Sequence, residues 1–146
     1  MRKLLALLLA LLFIASAAPL ASAEDTVLTV GGWPAGDTAF KAIIPAFEAA
    51  HPGVKVELVF MSTTDHHQQL ATAIAAGSGA SDVVMLEQAW VGRFKDGEGF
   101  ENLLAEPYNA GELKDQFVEY KWNLATSVDQ SRMIGLVWDI GPATLF

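Results

Sequence analysis

Six residues carry most of the chemistry this sequence offers: Trp33, Glu87, Gln88, Trp90, Trp138 and Asp139. Three are indoles, whose flat faces stack on C–H-rich surfaces such as one side of a pyranose ring while the ring N–H donates a hydrogen bond. The other three are carboxylates and an amide. A sugar-like hydroxyl both donates and accepts, so such groups can meet it in pairs. The six lie in three strings, Gly31-Gly32-Trp33-Pro34, Glu87-Gln88-Ala89-Trp90 and Trp138-Asp139, and each string follows an apolar run. Simpler roles stand beside these. Trp33 could cover an edge of the fold, Glu87 could cap a helix or pair with Arg93, and Trp90 could fill core. Arg93 could clamp a hydroxyl or an anion. The glycines before Trp33 let a backbone approach a ligand closely or serve a tight turn. Trp122, set among helical residues, is expected in the core.

Other chemistries find less support. Asp65, His66 and His67 form the one cluster resembling a metal or catalytic group, but neighbours on a helix point about 100° apart and share no ligand face. Asp65 reads as a helix N-cap. No metal and no cofactor are expected. There are no cysteines, which removes disulfides, thiolate nucleophiles and thiolate metal sites. Gly77-Ser78-Gly79 follows a helix and precedes a strand, the reverse of a phosphate loop. A formal charge of −8 argues against nucleic acid as a partner, since phosphate binding needs a basic face. Glu87 and Asp139 could serve as paired acids for glycoside cleavage, which requires a fixed separation.

The elements that must position these residues alternate. Val27–Val30 reads as a buried strand. Asp37 is the expected cap of a helix to Ala50, with Phe40, Ile43, Ile44 and Phe47 forming an apolar face and Pro45 a kink or a break. Val54–Phe60 alternates as a second strand, and 66–76 reads as a helix stopped by Gly77. Asp82–Leu86 is nearly all apolar, so it is expected to be a central strand buried on both faces. Glu87–Arg93 leads out of it, Leu113–Leu124 is expected to be helical, and Met133–Val137 a fourth strand. Strand–helix repeats predict parallel pairing with right-handed crossovers, and ligands sit beyond the carboxyl ends of such strands.

Residues 1–23 stand apart. A basic start, an apolar run from Leu4 to Ile14 and the small string Ala21-Ser22-Ala23 form the layout of a cleaved secretory signal peptide. The run is too short for the roughly 20 residues that span a bilayer. Arg2 and Lys3 leave with it, so 24–146 keeps 7 basic and 17 acidic residues, net −10. An exported, periplasmic protein is expected.

The strings Gly32-Trp33, Ile44-Pro45-Ala46-Phe47-Glu48, His51-Pro52-Gly53-Val54-Lys55-Val56, Leu70–Gly79, Asp82–Gln88, Glu119–Asn123 and Trp138-Asp139-Ile140-Gly141-Pro142 together resemble a known family. They are similar, in order and spacing, to the N-terminal part of extracellular solute-binding proteins of ABC transporters, in the sugar-binding group that includes maltose-binding protein. The resemblance implies an α/β, periplasmic-binding-protein-like lobe with a mostly parallel sheet flanked by helices. It implies a signal peptide at 1–23, an incomplete N-terminal lobe at 24–146 and a second lobe missing from this chain. It implies a binder rather than an enzyme, a monomer that takes a small solute, expected to be a sugar, and hands it to ABC permease membrane subunits. Glu87, Gln88 and Trp90 fall at the cleft of such sugar binders, and Trp138 could either meet the ligand or rest against the hinge. A secreted glycan-acting enzyme, or a non-functional truncated product with exposed edges, is the alternative.

Overall fold

The computed structural model describes residues 25–139, so the signal-peptide expectation and Ile140-Gly141-Pro142 fall outside the described residues. Strand and helix alternate through β1 (Thr26–Gly32), α1 (Asp37–Ala50), β2 (Val54–Phe60), α2 (Thr63–Ala76) and β3 (Val83–Val84). A short helix α3 (Gln88–Phe94), a 3-10 segment (Ala110–Gln116) and a helix α4 (Glu119–Ala125) follow. β1 pairs in parallel with β2 along its whole length, Thr26 opposite Val54 and Gly32 opposite Phe60. On its other side it pairs in parallel with β3, Val30 opposite Val83 and Gly31 opposite Val84. The order is β2-β1-β3. The fold is therefore α/β with a parallel sheet flanked by helices, as the alternation predicts.

The two glycines that end β1 show where the helices lie. A Cβ on Gly31 would stand 2.8 Å from Ser81 Oγ and 3.4 Å from the His66 ring, on the α2 side. A Cβ on Gly32 would run into Met85 Sδ and lie 3.2 Å from Phe60, and Phe60 meets Phe40 of α1 edge-on at 6.1 Å. Successive residues of a strand face opposite ways, so α1 and α2 cover opposite faces. The missing side chains make room for this chain's own atoms, Ser81, His66, Met85 and Phe60.

Several expectations are corrected. β1, not the 82–86 run, is the central strand. Only Val83 and Val84 pair there, at an edge, and Val83 is 51% exposed. Asp82 has left the ladder: its carboxylate accepts from the Thr29 amide at 2.8 Å and the Thr29 hydroxyl at 2.7 Å. These bonds hold its carboxyl below the usual carboxylate range. Asp37 is the first residue of α1 rather than its cap, which is Gly36, and it pairs with Lys41 at 2.7 Å. Pro45 does not end α1, which continues to Ala50. Ser62, not Asp65, caps α2, accepting from the Asp65 amide at 3.2 Å and donating its hydroxyl to the Asp65 carboxylate at 2.6 Å. The expected helix over 113–124 breaks at Phe117 and Val118, both extended, because Phe117 turns in to pack near Trp122, ring centres 5.9 Å apart. Met133–Val137 is no strand. It keeps one antiparallel bridge, Thr126 with Met133, and Leu136 is 41% exposed.

Two apolar clusters hold the described residues together. Leu70, Val91, Phe94 and Ile134 join α2, α3 and the 134 segment, with Ile74, Val84, Leu86 and Trp90 against them. Ala110, Trp122, Ala125 and Met133 form the second, so Trp122 is core as expected. No residue of α1 is buried.

Candidate solute-binding face

The carboxyl ends of β1 and β3 lie side by side in a parallel pair, which puts Trp33 and the segment after Val84 next to each other. β1 stops at Gly32, and Trp33 leads into a 3-10 turn begun by Pro34, whose fixed φ suits a first helical position. After β3, the Met85 amide donates to the Gly31 carbonyl at 2.9 Å and holds the exit to β1. Glu87 then takes the N-cap position of α3, extended at φ −71° and ψ 141°.

The structure gathers Trp33, Glu87 and Trp90 around residues assigned no such part from sequence, His66 and His67. Both histidines are buried, His67 completely. The Trp33 ring stands 5.8 Å from His66 and 5.4 Å from His67. Trp90 stacks on His67 at 4.8 Å with only 19° between the planes. His66 Nε2 lies 2.8 Å from the Met85 carbonyl and donates to it. His67 Nδ1 donates to the Thr63 carbonyl at 2.7 Å, and its Nε2 accepts the Glu87 amide at 3.1 Å. Burial keeps the His66 imidazole pKa below its ordinary range, against the opposing pull of the Met85 bond. The sequence signal was present in the doubled histidine, but a search for shared metal ligands looks for side chains pointing the same way. Here the two point to different partners. Among the described residues no group of three His, Asp or Glu is placed to hold a metal ion.

Each candidate has a definite place. Trp33 and Trp90 are half-buried, and Trp90 also rests against the Leu70 cluster, so packing and partial exposure coexist. Glu87 is exposed and its side chain makes no capping bond. The ion pairs among the described residues are Lys41–Asp37 and Lys55–Glu48, so Glu87 does not pair with Arg93. Arg93 instead lies 5.7 Å from the Trp90 ring and 5.9 Å from Phe94. Gln88 accepts a bond from the ammonium of buried Lys121 at 3.0 Å, which ties α3 to α4. Lys121 went unread in the sequence because nothing local marks a lysine that a neighbouring helix will bury. Trp138 is 52% exposed and Asp139 is exposed, at the end of a stretch that carries no helix or strand after the Met133 bridge.

A separate concavity of about 250 Å³ lies on the α2 face of the sheet, between Thr29, Gly31, Val59, His66 and Leu70. None of the six candidates lines it, and it is smaller than the roughly 300–1,000 Å³ of small-molecule pockets. What the strand-end face offers is two angled indoles beside a free carboxylate and an amide, which suits a small polar solute with an apolar ring face. No helix among the described residues is long and apolar enough to cross a membrane.

Known proteins share this arrangement of elements. A solved extracellular solute-binding protein family 1 structure matches at TM-score 0.66 with 31% identity, over 76% of this chain and 28% of that one. A periplasmic solute-binding protein of Pectobacterium atrosepticum matches at TM-score 0.60 and 23% identity, over 76% and 27%. A family 1 extracellular solute-binding protein of Alicyclobacillus acidocaldarius matches at 0.58 and 18%, over 77% and 28%; these two share the fold. The chain thus spans under a third of the length of the structures it matches. The sequence model for bacterial extracellular solute-binding proteins matches residues 31–138, from the end of β1 through both histidines to Trp138, and the chain belongs to that family.

Proposed function

We propose that this chain is the N-terminal lobe, residues 24–146 behind a cleaved signal at 1–23, of the substrate-binding component of an ABC importer. It captures a sugar or sugar-like solute in the periplasm and delivers it to the permease subunits in the membrane. The two-lobe protein acts as a binder and not as an enzyme, and it works as a monomer. Capture in such a system is closure of two lobes: the solute contacts both and stabilises the closed form by its higher affinity for it.

The observation that carries this reading is the placement of Trp33, Glu87 and Trp90 around His67 at the carboxyl ends of β1 and β3, where open α/β sheets bind ligands, with Gln88 next in the chain and held by Lys121. In this reading the indoles stack on the sugar's C–H face, and Glu87 and Gln88 engage its hydroxyls. Trp138 and Asp139 complete the site from the segment that follows the Met133 bridge.

The test is titration of the purified chain with glucose, xylose, maltose and glycerol, followed by tryptophan fluorescence. Saturable quenching is expected, with a Kd of about 1 mM or weaker, because one lobe leaves the solute half exposed. Saturation by none of these while an amino acid or oligopeptide saturates would overturn the sugar assignment.

A further inference from the structure

We propose that His67, with His66 beside it, is the positioning residue of the strand-end face: the pair fixes the main chain from Met85 to Glu87 and sets the angle between Trp33 and Trp90. The consequence for affinity rests on the solute-binding reading above; the positioning itself does not.

The argument begins with the main chain. β3 pairs over only two residues; the Met85 amide still reaches the Gly31 carbonyl, but the Met85 carbonyl and the Glu87 amide that follow have no partner on β1, and buried backbone groups must find others. The two histidines supply bonds of opposite sense. His66 gives a hydrogen to the Met85 carbonyl, and His67 takes one from the Glu87 amide. Each imidazole can do only one of these at a given nitrogen, so the pair reads the direction of the chain. The His67 tautomer is itself fixed by the Thr63 carbonyl one turn back in α2. A flat ring then remains to be placed, and Trp90 lies almost parallel to it while Trp33 meets it at 39°. Two indoles from distant parts of the sequence are thereby referred to one buried ring. An apolar filler would occupy the same volume without directing Glu87. A hydrogen-bonded polar group specifies one arrangement.

Two variants separate the functions of the ring. His67→Phe keeps a flat ring against Trp90 and removes the acceptor. His67→Gln keeps an acceptor and removes the ring. Amide exchange at Glu87 and the indole N–H signals of Trp33, Trp90 and Trp122 are followed by nitrogen-15 NMR in the 146-residue chain. In His67→Phe the Glu87 amide is expected to exchange about tenfold faster or more, with the Trp90 signal near its original position. In His67→Gln the Glu87 protection is expected to return while the Trp33 and Trp90 signals move and that of Trp122 does not. Unchanged Glu87 exchange in His67→Phe would overturn the proposal, and that variant decides alone if His67→Gln loses the Trp122 signal through unfolding. Titration with glucose and maltose adds the consequence. Whichever saturates the parent chain is expected to bind both variants about tenfold more weakly; unchanged affinity beside faster Glu87 exchange would overturn the consequence for the solute, while the positioning role stands or falls with the amide and indole signals. If neither sugar saturates the parent, the sugar reading is left to the wider titration above, and the amide and indole signals decide the role of His67.

Discussion

Burial is the main cause of the lowered His66 pKa, with the neighbouring His67 adding to it and the bond to the Met85 carbonyl opposing it. The sign of the effect on stability follows. An unfolded chain takes up this proton near the ordinary 6.5, whereas the folded chain holds the ring neutral to lower pH. The unfolded state therefore binds more protons in that window. The contribution is complete above 6.5 and is lost as pH falls from there through the folded value. The urea midpoint is expected to be lower at about pH 5 than at about pH 7.5, and His66→Gln should shrink the difference. Equal midpoints for the parent chain would refute this. Leu70, 3% exposed at the centre of its cluster, gives a second expectation. Leu70→Ala should cost about 2–5 kcal/mol in urea unfolding, and a loss under about 1 kcal/mol would show that the site collapses around the change. At the proposed ligand site, Trp138→Ala in a version as long as the solved relatives should weaken sugar binding about tenfold, or 1.4 kcal/mol. Unchanged affinity removes Trp138 from the site.

At the scale of elements, α2 has the sharpest boundaries and carries both histidines where its first turn meets its second. Ser62 and Asp65 satisfy each other at its start, and Gly77 ends it at φ +67°. Ser62→Ala should cost about 1 kcal/mol, and Gly77→Ala a similar amount because a Cβ is strained at positive φ. Both are measured by urea unfolding. If Ser62→Ala also speeds exchange at the Glu87 amide, loosening of the first turn reaches β3's exit through His67; equal exchange would confine the cap's effect to the helix. The bounds of β2 and the end of α2 at Gly77 were readable because alternation and glycine signals are local, whereas β1 runs on through Gly31 and Gly32 and α2 starts earlier, at Thr63. β3, the 113–124 segment and the 133–137 run were misread for a common reason. Their apolar residues report that they are covered, and they do not say whether the cover is a strand ladder, a turned-in ring or one bridge.

Across the whole molecule the apolar surface is unevenly covered. Ile43 and Phe47 on α1, Val83 on the edge strand, and Leu136 and Trp138 near the end of the described residues are all well exposed, whereas α2 and α3 bury their apolar faces together. Contiguous exposed apolar surface and open strand edges favour association. The 146-residue chain is expected to bind a hydrophobic dye and to self-associate as its concentration rises in sedimentation. A dye-silent, concentration-independent monomer would show these surfaces to be covered. The same solvent-facing row on α1 bears on how the fold was read. The periodicity of Phe40, Ile43, Ile44 and Phe47 identified the helix and one apolar side, but of these only Phe40 meets a ring of the sheet, Phe60 of β2.

The order of strands and helices as far as β3, the parallel pairing, the strand-end position of Trp33 and Glu87 and the family itself were determined by the sequence alone, because period, turn chemistry and motif order are properties of neighbouring residues. Three things were decided only by the tertiary structure: β1 as the central strand, the glycine pair as room for this chain's own side chains, and the doubled histidine as the joint between two strand ends. Each depends on which distant segments come to lie within a few ångströms, and no local pattern encodes that distance.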